Sequence, residues 1–178
     1  RQEEYLKLFS VVFQDFKLFS LPLGENVATS CDYDDGKVVD CLEKADFGER
    51  LERMKDGAGT YLYKDYEDGV EVSGGEAQKI AIARAVCKDA PFVLLDEPTA
   101  ALDPVSESRV YEEFAEIAGQ AQGGMTIFIS HRLASTKLAD EIVVIRGGAV
   151  AEKGDFDALM EKRGIYYEMF RSQMKWYQ

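Results

Sequence analysis

Two adjacent carboxylates, Asp96 and Glu97, are the residues of this sequence best suited to chemistry. They end the run Phe92–Asp96, whose apolar residues predict a strand buried on both faces of a parallel sheet. Such a strand brings its last residues to the carboxyl edge of the sheet, where α/β proteins bind their ligands. One carboxylate could bind Mg²⁺, directly or through water, and the other could polarise a water molecule for attack on a phosphate. By themselves, the two residues leave an ordinary acidic turn open as the alternative.

Two further segments carry residue types that suit phosphate binding. Residues 73–76 read Ser-Gly-Gly-Glu and open a helical segment that runs to about Cys87. Ser73 is a good N-cap, the glycines let a phosphate approach the backbone, and the free N–H groups of a first helical turn favour an anion. Downstream, Met125–Ile129 predicts another buried strand, which His131, the only histidine, follows. A plain Ser-capped helix and a structural histidine are the alternatives.

Four segments in order resemble the ATP-binding cassette family: VSGGE at 72–76, FVLLDE at 92–97, AALD at 100–103 and TIFISH at 126–131. The resemblance covers nearly the whole chain from Phe9 onward. It implies an α/β fold, namely a partial P-loop NTPase core of the ABC ATPase type with a helical subdomain, and it implies ATP and Mg²⁺ as cofactors. The segment around Tyr63, Lys64 and Asp65 resembles the one that precedes the signature in exporters. An exporter-type ABC transporter is therefore the expected parent protein.

The same resemblance implies a role for each candidate site residue. Asp96 and Gln14 are expected to bind Mg²⁺, Glu97 to act on the attacking water, and His131 to stabilise the γ-phosphate. Gln14, the counterpart of the family's Q-loop glutamine, also counts as catalytic because that residue reaches toward the attacking water. The residues expected to contact nucleotide at the interface with a second subunit are Ser73, Gly74, Gly75, Glu76 and Asp103. Asp103 also precedes Pro104 as an N-cap would, which leaves pure helix capping open for it.

The signature departs from the family's commonest form at two positions. Val72 stands in place of Leu, and Glu76 stands in place of Gln. Glu76 adds a carboxylate next to a proposed phosphate site. The sequence leaves open whether this side chain points away, with Gln78 and Lys79 shaping the surface instead.

The sequence contains no string of the form G-x-x-x-x-G-K-[ST]. In the family this string is the P-loop, whose backbone amides and lysine hold the β- and γ-phosphates. Since the chain also does not begin with Met, we expect a piece that starts after the P-loop helix and lacks the P-loop strand and the N-terminal β-subdomain. Such a piece should bind Mg-ATP weakly or not at all and should be inactive alone. Its uncovered strand edges should favour association with another copy or with the missing segment.

The expected organisation is one partial ABC ATPase domain over residues 1–178. Residues 1–21 form the Q-loop strand and loop, 22–75 the helical subdomain and signature, and 76–178 the core with the Walker B strand, D-loop, H-loop and C-terminal helices. Within these regions the sequence predicts a strand at Phe9–Phe13, a helix capped by Asp34 or Asp35, a second helical segment around Leu51 and a helix from Pro104 to Ala118. It also predicts a hairpin turning at Arg146-Gly147-Gly148, a helix capped by Asp155 and a last helix after Gly164.

Composition excludes several classes of protein. A net charge of -12 argues against nucleic acid as a partner, because the phosphate backbone would repel the chain. No stretch approaches the roughly 20 continuous apolar residues of a membrane helix. The three cysteines, Cys31, Cys41 and Cys87, have no metal-ligand spacing and are expected to be small buried or half-buried residues in a reducing compartment.

The resemblance implies two partners, the transmembrane domains of the transporter and a second nucleotide-binding domain, at the cytoplasmic face of the cell membrane. A non-catalytic half-domain that only dimerises or regulates is the alternative from a different class. A repair ATPase of the chromosome-maintenance type is a further alternative, although its long coiled coils have no counterpart here. The loop after Gln14 either packs inward or docks a partner helix through its apolar residues, which are Phe16, Leu18, Phe19, Leu21 and Leu23.

Overall fold

A computed structural model describes residues 2–65, 68–97, 110, 112 and 124–175. The chain divides into two compact units, Arg1–Ile129 and Ser130–Gln178. In the first unit the elements are α1 (Gln2–Leu6), β1 (Phe9–Val12), α2 (Leu23–Ala28), α3 (Asp35–Lys44), α4 (Gly48–Glu52), a 3-10 turn (Gly57–Gly59), α5 (Gly74–Cys87), β2 (Phe92–Asp96) and β3 (Met125–Ile129). The second unit has a 3-10 turn (Ser135–Leu138), β4 (Ile142–Arg146), β5 (Ala149–Gly154), α6 (Phe156–Lys162) and α7 (Ile165–Met174).

The first unit is built on a parallel sheet with the strand order β1-β2-β3. Val12 pairs with Leu95, and Leu95 pairs with Phe128, so the three strands end at the same edge of the sheet. The α/β class expected from the sequence is confirmed. The predicted helix from Pro104 to Ala118 lies outside the described residues, apart from Glu112 and the buried Val110.

The prediction that β2 and β3 are buried on both faces is wrong. In β2, Val93 and Leu95 are buried, whereas Leu94 is half-buried. In β3, Met125 and Ile129 are 54% and 60% exposed. The core helices pack on the side of the sheet that carries Val93 and Leu95, and the alternate side chains of β3 point to the other side. An apolar run does not distinguish burial on one face from burial on two, so the sequence could not reveal this difference.

Helices α2 to α5 share one core with the inner face of the sheet. Its fully buried side chains include Leu23, Leu42, Phe47, Leu62, Ile80 and Ile82. Of the two predicted caps of α3, Asp34 is the cap, since its side chain accepts a 2.8 Å hydrogen bond from the Lys37 N–H. The predicted second helical segment forms α4, with Phe47 at its start. None of the described helices is both long and apolar enough to span a membrane.

The expected burial of the cysteines is confirmed for Cys41 and Cys87 and is wrong for Cys31, which is exposed. Burial, followed by the neighbouring Cys87, raises the pKa of Cys41 to about 12. Because the thiolate is the reactive form, we expect iodoacetamide to label only Cys31 in the folded chain and all three cysteines in denaturant, as counted by mass spectrometry. Labelling of Cys41 in the folded chain at the rate of Cys31 would contradict this packing.

The second unit confirms the predicted hairpin and caps. Strands β4 and β5 are antiparallel and turn at Gly147 and Gly148, whose φ angles of 61° and 78° suit a two-residue type I′ turn. Asp155 caps α6 by accepting a 2.8 Å hydrogen bond from the Ala158 N–H. The unit has its own core, formed by Leu133, Ile142, Val144, Leu159, Tyr166 and Phe170.

A buried carboxylate, Glu152, holds the start of α7. Its Oε2 accepts a 2.8 Å hydrogen bond from the Tyr166 N–H, and its Oε1 lies 3.4 Å from the Lys162 ammonium. The hydrogen bond from Tyr166 is the main reason that the pKa of Glu152 lies below its ordinary value of 4.5. A Cβ at Gly164 would lie 1.9 Å from Oε1, so this position has no room for a side chain while Glu152 keeps its place.

Acid should therefore destabilise the second unit through Glu152. A lowered folded-state pKa means that the stabilisation is complete above the unfolded-state value of about 4.5 and is lost as the pH falls through the folded value. We expect Glu152→Gln to lower the melting temperature at neutral pH and to remove part of the acid sensitivity, as measured by circular dichroism. Glu161→Gln, at an exposed position of α6, is the matched control. Equal acid sensitivity in the Glu152→Gln variant and the wild type would exclude this role.

Candidate functional site

The structure brings Asp96, Glu97 and Gln14 to one edge of the parallel sheet. Strand β2 ends at Asp96, which pairs with Ile129 of β3, and Gln14 follows the end of the adjacent strand β1 by two residues. Neighbouring strands lie about 4.8 Å apart. Side chains that follow these two strand ends therefore share one rim, with Asp96 and Glu97 half-buried and Gln14 exposed.

Glu97 has a strained backbone that its neighbours hold in place. Its φ of 47° lies in the left-handed region, which residues with a side chain rarely adopt. Its N–H donates a 3.0 Å hydrogen bond to the Ile129 carbonyl, and the Gln78 side chain donates a 3.4 Å hydrogen bond to the Glu97 carbonyl. Backbone strain of this kind persists only where the surroundings fix it, and it is common at active sites. The Glu97 side chain is thus carried on a backbone that is held in place.

The sequence left open whether Gln78 and Lys79 shape the surface near the signature, and the burial of Gln78 excludes this for that residue. Gln78 is buried and supports Glu97, whereas Lys79 donates hydrogen bonds of 2.9 Å and 2.7 Å to the backbone carbonyl and the side chain of Asp46. Gln78 lies three and four residues before the buried Ala81 and Ile82, which places it on the inward face of α5. This spacing of three and four residues from buried positions was the sequence signal that Gln78 faces the core and could support Glu97.

The signature residues form a complete capping box at the start of α5. The Ser73 Oγ accepts a 3.2 Å hydrogen bond from the Glu76 N–H, and Glu76 Oε2 accepts a 2.7 Å hydrogen bond from the Ser73 N–H. Ser73 and Gly74 are exposed. A Cβ built at Gly74 would meet nothing within 4 Å, so packing inside the chain does not require glycine there. The remaining reason for glycine at position 74 is the close approach of a group from outside the chain.

The structure answers the question that the sequence left open for Glu76. Its Oε1 lies 2.8 Å from Nε of Arg50, so both carboxylate oxygens face groups of the same chain. Partial burial by itself raises the pKa of Glu76, but the Ser73 hydrogen bonds and the Arg50 charge outweigh it, and the pKa lies below its ordinary value.

The loop after Gln14 is clamped by Asn26, a buried residue of α2. The Asn26 side chain accepts a 2.9 Å hydrogen bond from the Phe19 N–H and donates to the Phe19 and Leu21 carbonyls at 3.0 Å and 3.2 Å. Arg84 of α5 completes the clamp by donating to the Asn26 carbonyl at 2.7 Å and to the Lys17 carbonyl at 3.1 Å. Burial lowers the pKa of Arg84.

The two alternatives for the apolar residues of this loop apply to different residues: some pack inward as predicted, and docking by the others stays a prediction. Leu23 is buried, and Phe16 and Leu18 pack against the core. Phe19 and Leu21 are 59% and 39% exposed. Beside them lies a cavity of about 300 Å³, whose lining includes Val12, Phe13, Phe16, Lys17, Ala81 and Arg84. The Ser20 hydroxyl also bonds to Asp65, so this loop adjoins the segment that precedes the signature.

The other two candidate residues are His131 and Asp103. His131 belongs to the second unit, where its side chain is exposed and its backbone carbonyl accepts a 2.6 Å hydrogen bond from Gln173. Asp103 lies outside the described residues. In the first unit the structure therefore assembles Gln14, Asp96 and Glu97 at one rim, with the signature at the start of the helix that supports Glu97.

Asp96 and Gln14 offer the oxygen donors that Mg²⁺ prefers. Within residues 2–65, 68–97 and 124–175, no group of three or more His, Cys, Asp or Glu side chains is placed to hold a metal ion by itself. Mg²⁺ commonly binds one or two side-chain oxygens together with water and substrate phosphates. A carboxylate and an amide at one rim fit that requirement.

Comparison with known proteins identifies the family of this site. Residues 1–100 match the family model described as ABC transporter. The chain is 34% identical over 175 residues to the nisin transport ATP-binding protein NisT of Lactococcus lactis subsp. lactis, and 37% identical over 161 residues to the ATP-dependent lipid A-core flippase of Alcanivorax borkumensis. These alignments cover 97% and 90% of this chain but only 29% and 26% of the relatives.

A solved structure with the same fold is that of a bacterial Atm1-family ABC exporter with ATP bound. The TM-score is 0.85 at 31% sequence identity, over 97% of this chain and 30% of the exporter chain. The chain thus spans less than a third of the length of each of these relatives.

Proposed function

This chain belongs to the ABC transporter family, and we propose that it forms part of an ATPase domain whose hydrolysis of ATP drives export across a membrane. The observation that carries this proposal is the rim of the parallel sheet. There Glu97 is held in a left-handed conformation beside Asp96 and Gln14. Phosphoryl transfer to water needs positioned charges more than covalent chemistry, and this rim supplies two adjacent carboxylates, one of them on a backbone held by hydrogen bonds.

In the proposed mechanism each residue has one task. Asp96 and Gln14 would hold Mg²⁺, which would supply positive charge against the β- and γ-phosphates. Glu97 accepts a hydrogen bond from the attacking water and orients it toward the γ-phosphate. Since Gln78 and Ile129 fix the Glu97 backbone, little reorganisation is needed when charge develops. His131 stabilises the γ-phosphate, and Asp103 contributes at the interface with a second subunit.

The signature would serve a nucleotide held by the second nucleotide-binding domain of a dimer. The Ser73 Oγ accepts a hydrogen bond from the Glu76 N–H, so the Ser73 hydroxyl hydrogen is available to donate to a phosphate oxygen. The start of α5 favours an anion because its first N–H groups point outward. Gly74 and Gly75 let the phosphate approach the backbone.

The remaining partners would be transmembrane domains, with this domain at the cytoplasmic face of the membrane. The exposed Phe19 and Leu21 next to the cavity fit an apolar helix from such a domain. Asp65 adjoins the same loop through Ser20, which makes the two segments one continuous contact surface. The net charge of -12 supports a partner other than nucleic acid.

The 178-residue chain should bind Mg-ATP weakly by itself. The sequence has no G-x-x-x-x-G-K-[ST] string, so the amides and lysine that usually hold the β- and γ-phosphates are not supplied by it. We expect calorimetric titration with Mg-ATP to detect no binding in the micromolar range. Micromolar binding would show that other residues of this chain form a phosphate cradle.

Phosphate release by the complete exporter is the test of hydrolysis. The exporter would be reconstituted in liposomes and given ATP with and without Mg²⁺. Release that requires both supports the proposal. If the folded, reconstituted protein binds its second subunit but releases no phosphate, the non-catalytic role in dimerisation or regulation replaces it.

A further inference from the structure

The carboxylate of Glu76 lies where the proposed function needs to bind an anion. A negative charge within a few ångströms of a phosphate repels it, and the repulsion is stronger where water is excluded. The Ser73 N–H is already occupied by Glu76 Oε2, so this carboxylate is fixed to the signature and cannot swing away without breaking the capping box. A functional signature of this form needs a group that neutralises the Glu76 charge.

Arg50 supplies the opposite charge from a different element. Its Nε lies 2.8 Å from Glu76 Oε1, while its Nη2 donates to the Glu71 carbonyl at 3.5 Å, in the segment that leads into the signature. Both side chains of the pair are about one-third exposed, at 34% for Arg50 and 28% for Glu76. The guanidinium therefore connects the end of α4 to both sides of Ser73.

We propose that Arg50 is a charge-compensating positioning residue of the signature. It cancels the Glu76 carboxylate and holds it against the Ser73 N–H, so that the Ser73 hydroxyl and the start of α5 meet a nucleotide phosphate without a competing negative charge. Arg50 acts through Glu76 and does not touch the nucleotide. This inference rests on the proposed binding of ATP by the signature.

A double-mutant cycle in the complete exporter tests the inference through the KM for ATP and kcat. Arg50→Gln leaves the carboxylate uncompensated, and we expect the KM for ATP to rise about tenfold with a much smaller change in kcat. Glu76→Gln leaves Arg50 as a net positive charge, and the KM should fall severalfold. In the double variant the KM should return to within about twofold of the wild type. Arg50→Lys should keep most of the affinity.

Arg53→Gln is the matched control, since Arg53 follows α4 and is 73% exposed in its pair with Glu49. The KM should not change in this variant. Thermal unfolding of each variant of the 178-residue chain checks that the fold is retained.

Two results would overturn the inference while the proposed function stands. One is an unchanged KM in Arg50→Gln, and the other is a double variant as impaired as Arg50→Gln, which would make Arg50 a purely structural residue. The proposed function itself fails by a different readout: the wild-type exporter would release no phosphate, or Ser73→Ala would leave the KM for ATP unchanged.

Discussion

Replacing Glu97 with Gln in the complete exporter should lower the rate of ATP hydrolysis by about 10²- to 10⁴-fold. Glutamine keeps the size and the hydrogen-bonding capacity of the side chain but cannot polarise the attacking water as a carboxylate does. The Gln78 and Ile129 hydrogen bonds involve only the backbone of residue 97, so the left-handed conformation should persist in the variant. ATP binding should therefore change little.

The measurement is steady-state phosphate release together with ATP affinity in the same preparation. Glu49→Gln is the control, because it removes a carboxylate of the same unit that is 94% exposed. If Glu97→Gln hydrolyses ATP as fast as Glu49→Gln, Glu97 does not act on the water. If the rate of Glu97→Gln at saturating ATP equals the wild type and only its ATP affinity falls, the residue binds nucleotide instead.

Asn26→Leu should lower the free energy of unfolding of the first unit by about 3–5 kcal/mol. The side chain is 1% exposed, and its replacement leaves the Phe19 N–H without its partner. The Phe19 and Leu21 carbonyls each lose one hydrogen bond but keep those from the Leu21 and Leu62 N–H groups. A buried backbone group that loses its hydrogen bond costs about 1–3 kcal/mol. Arg84 also loses its hydrogen bond to the Asn26 side chain, although it keeps the one to the backbone carbonyl of residue 26.

Urea unfolding of the 178-residue chain, followed by circular dichroism, measures this effect. Asn26→Asp separates the two halves of the clamp, since a carboxylate still accepts from the Phe19 N–H but cannot donate to the carbonyls. Because its buried carboxylate faces the Phe19 and Leu21 carbonyl oxygens, this variant should lose at least as much unfolding free energy as Asn26→Leu. Lys17→Ala is the control in the same loop, because the Lys17 side chain is exposed and only its carbonyl takes part. A loss below about 1 kcal/mol in both Asn26 variants would mean that the loop is held elsewhere.

Local chemistry made several elements predictable from the sequence. The apolar run before Asp96, the Gly147-Gly148 turn and the caps at Asp34, Ser73 and Asp155 all act within a few residues. The structure places each of them as expected. A resemblance in four ordered segments was enough for the family, since the spacing between them reflects a shared topology.

The remaining features depend on contacts between residues distant in sequence. Gln78 supports Glu97 from 19 positions away, and Arg50 reaches Glu76 across the segment between α4 and α5. The positive φ of Glu97 has no signature in its residue type, because glutamate ordinarily avoids that region. One-sided exposure of β3 likewise depends on which face the helices cover. No local pattern carries this information.

Helix α5 rigidly connects two regions that are far apart along the chain, namely the signature and the loop after Gln14. Ser73 caps its start, and Arg84, eleven positions later and about 16 Å along the axis, grips the backbone of the loop after Gln14. A rod clamped in this way transmits a push without a relay of side chains. A partner that displaces the loop would strain the Arg84 hydrogen bonds or move α5 and the signature with it. Movement of a membrane-side partner against the loop and movement of the signature relative to a nucleotide would then be coupled through α5.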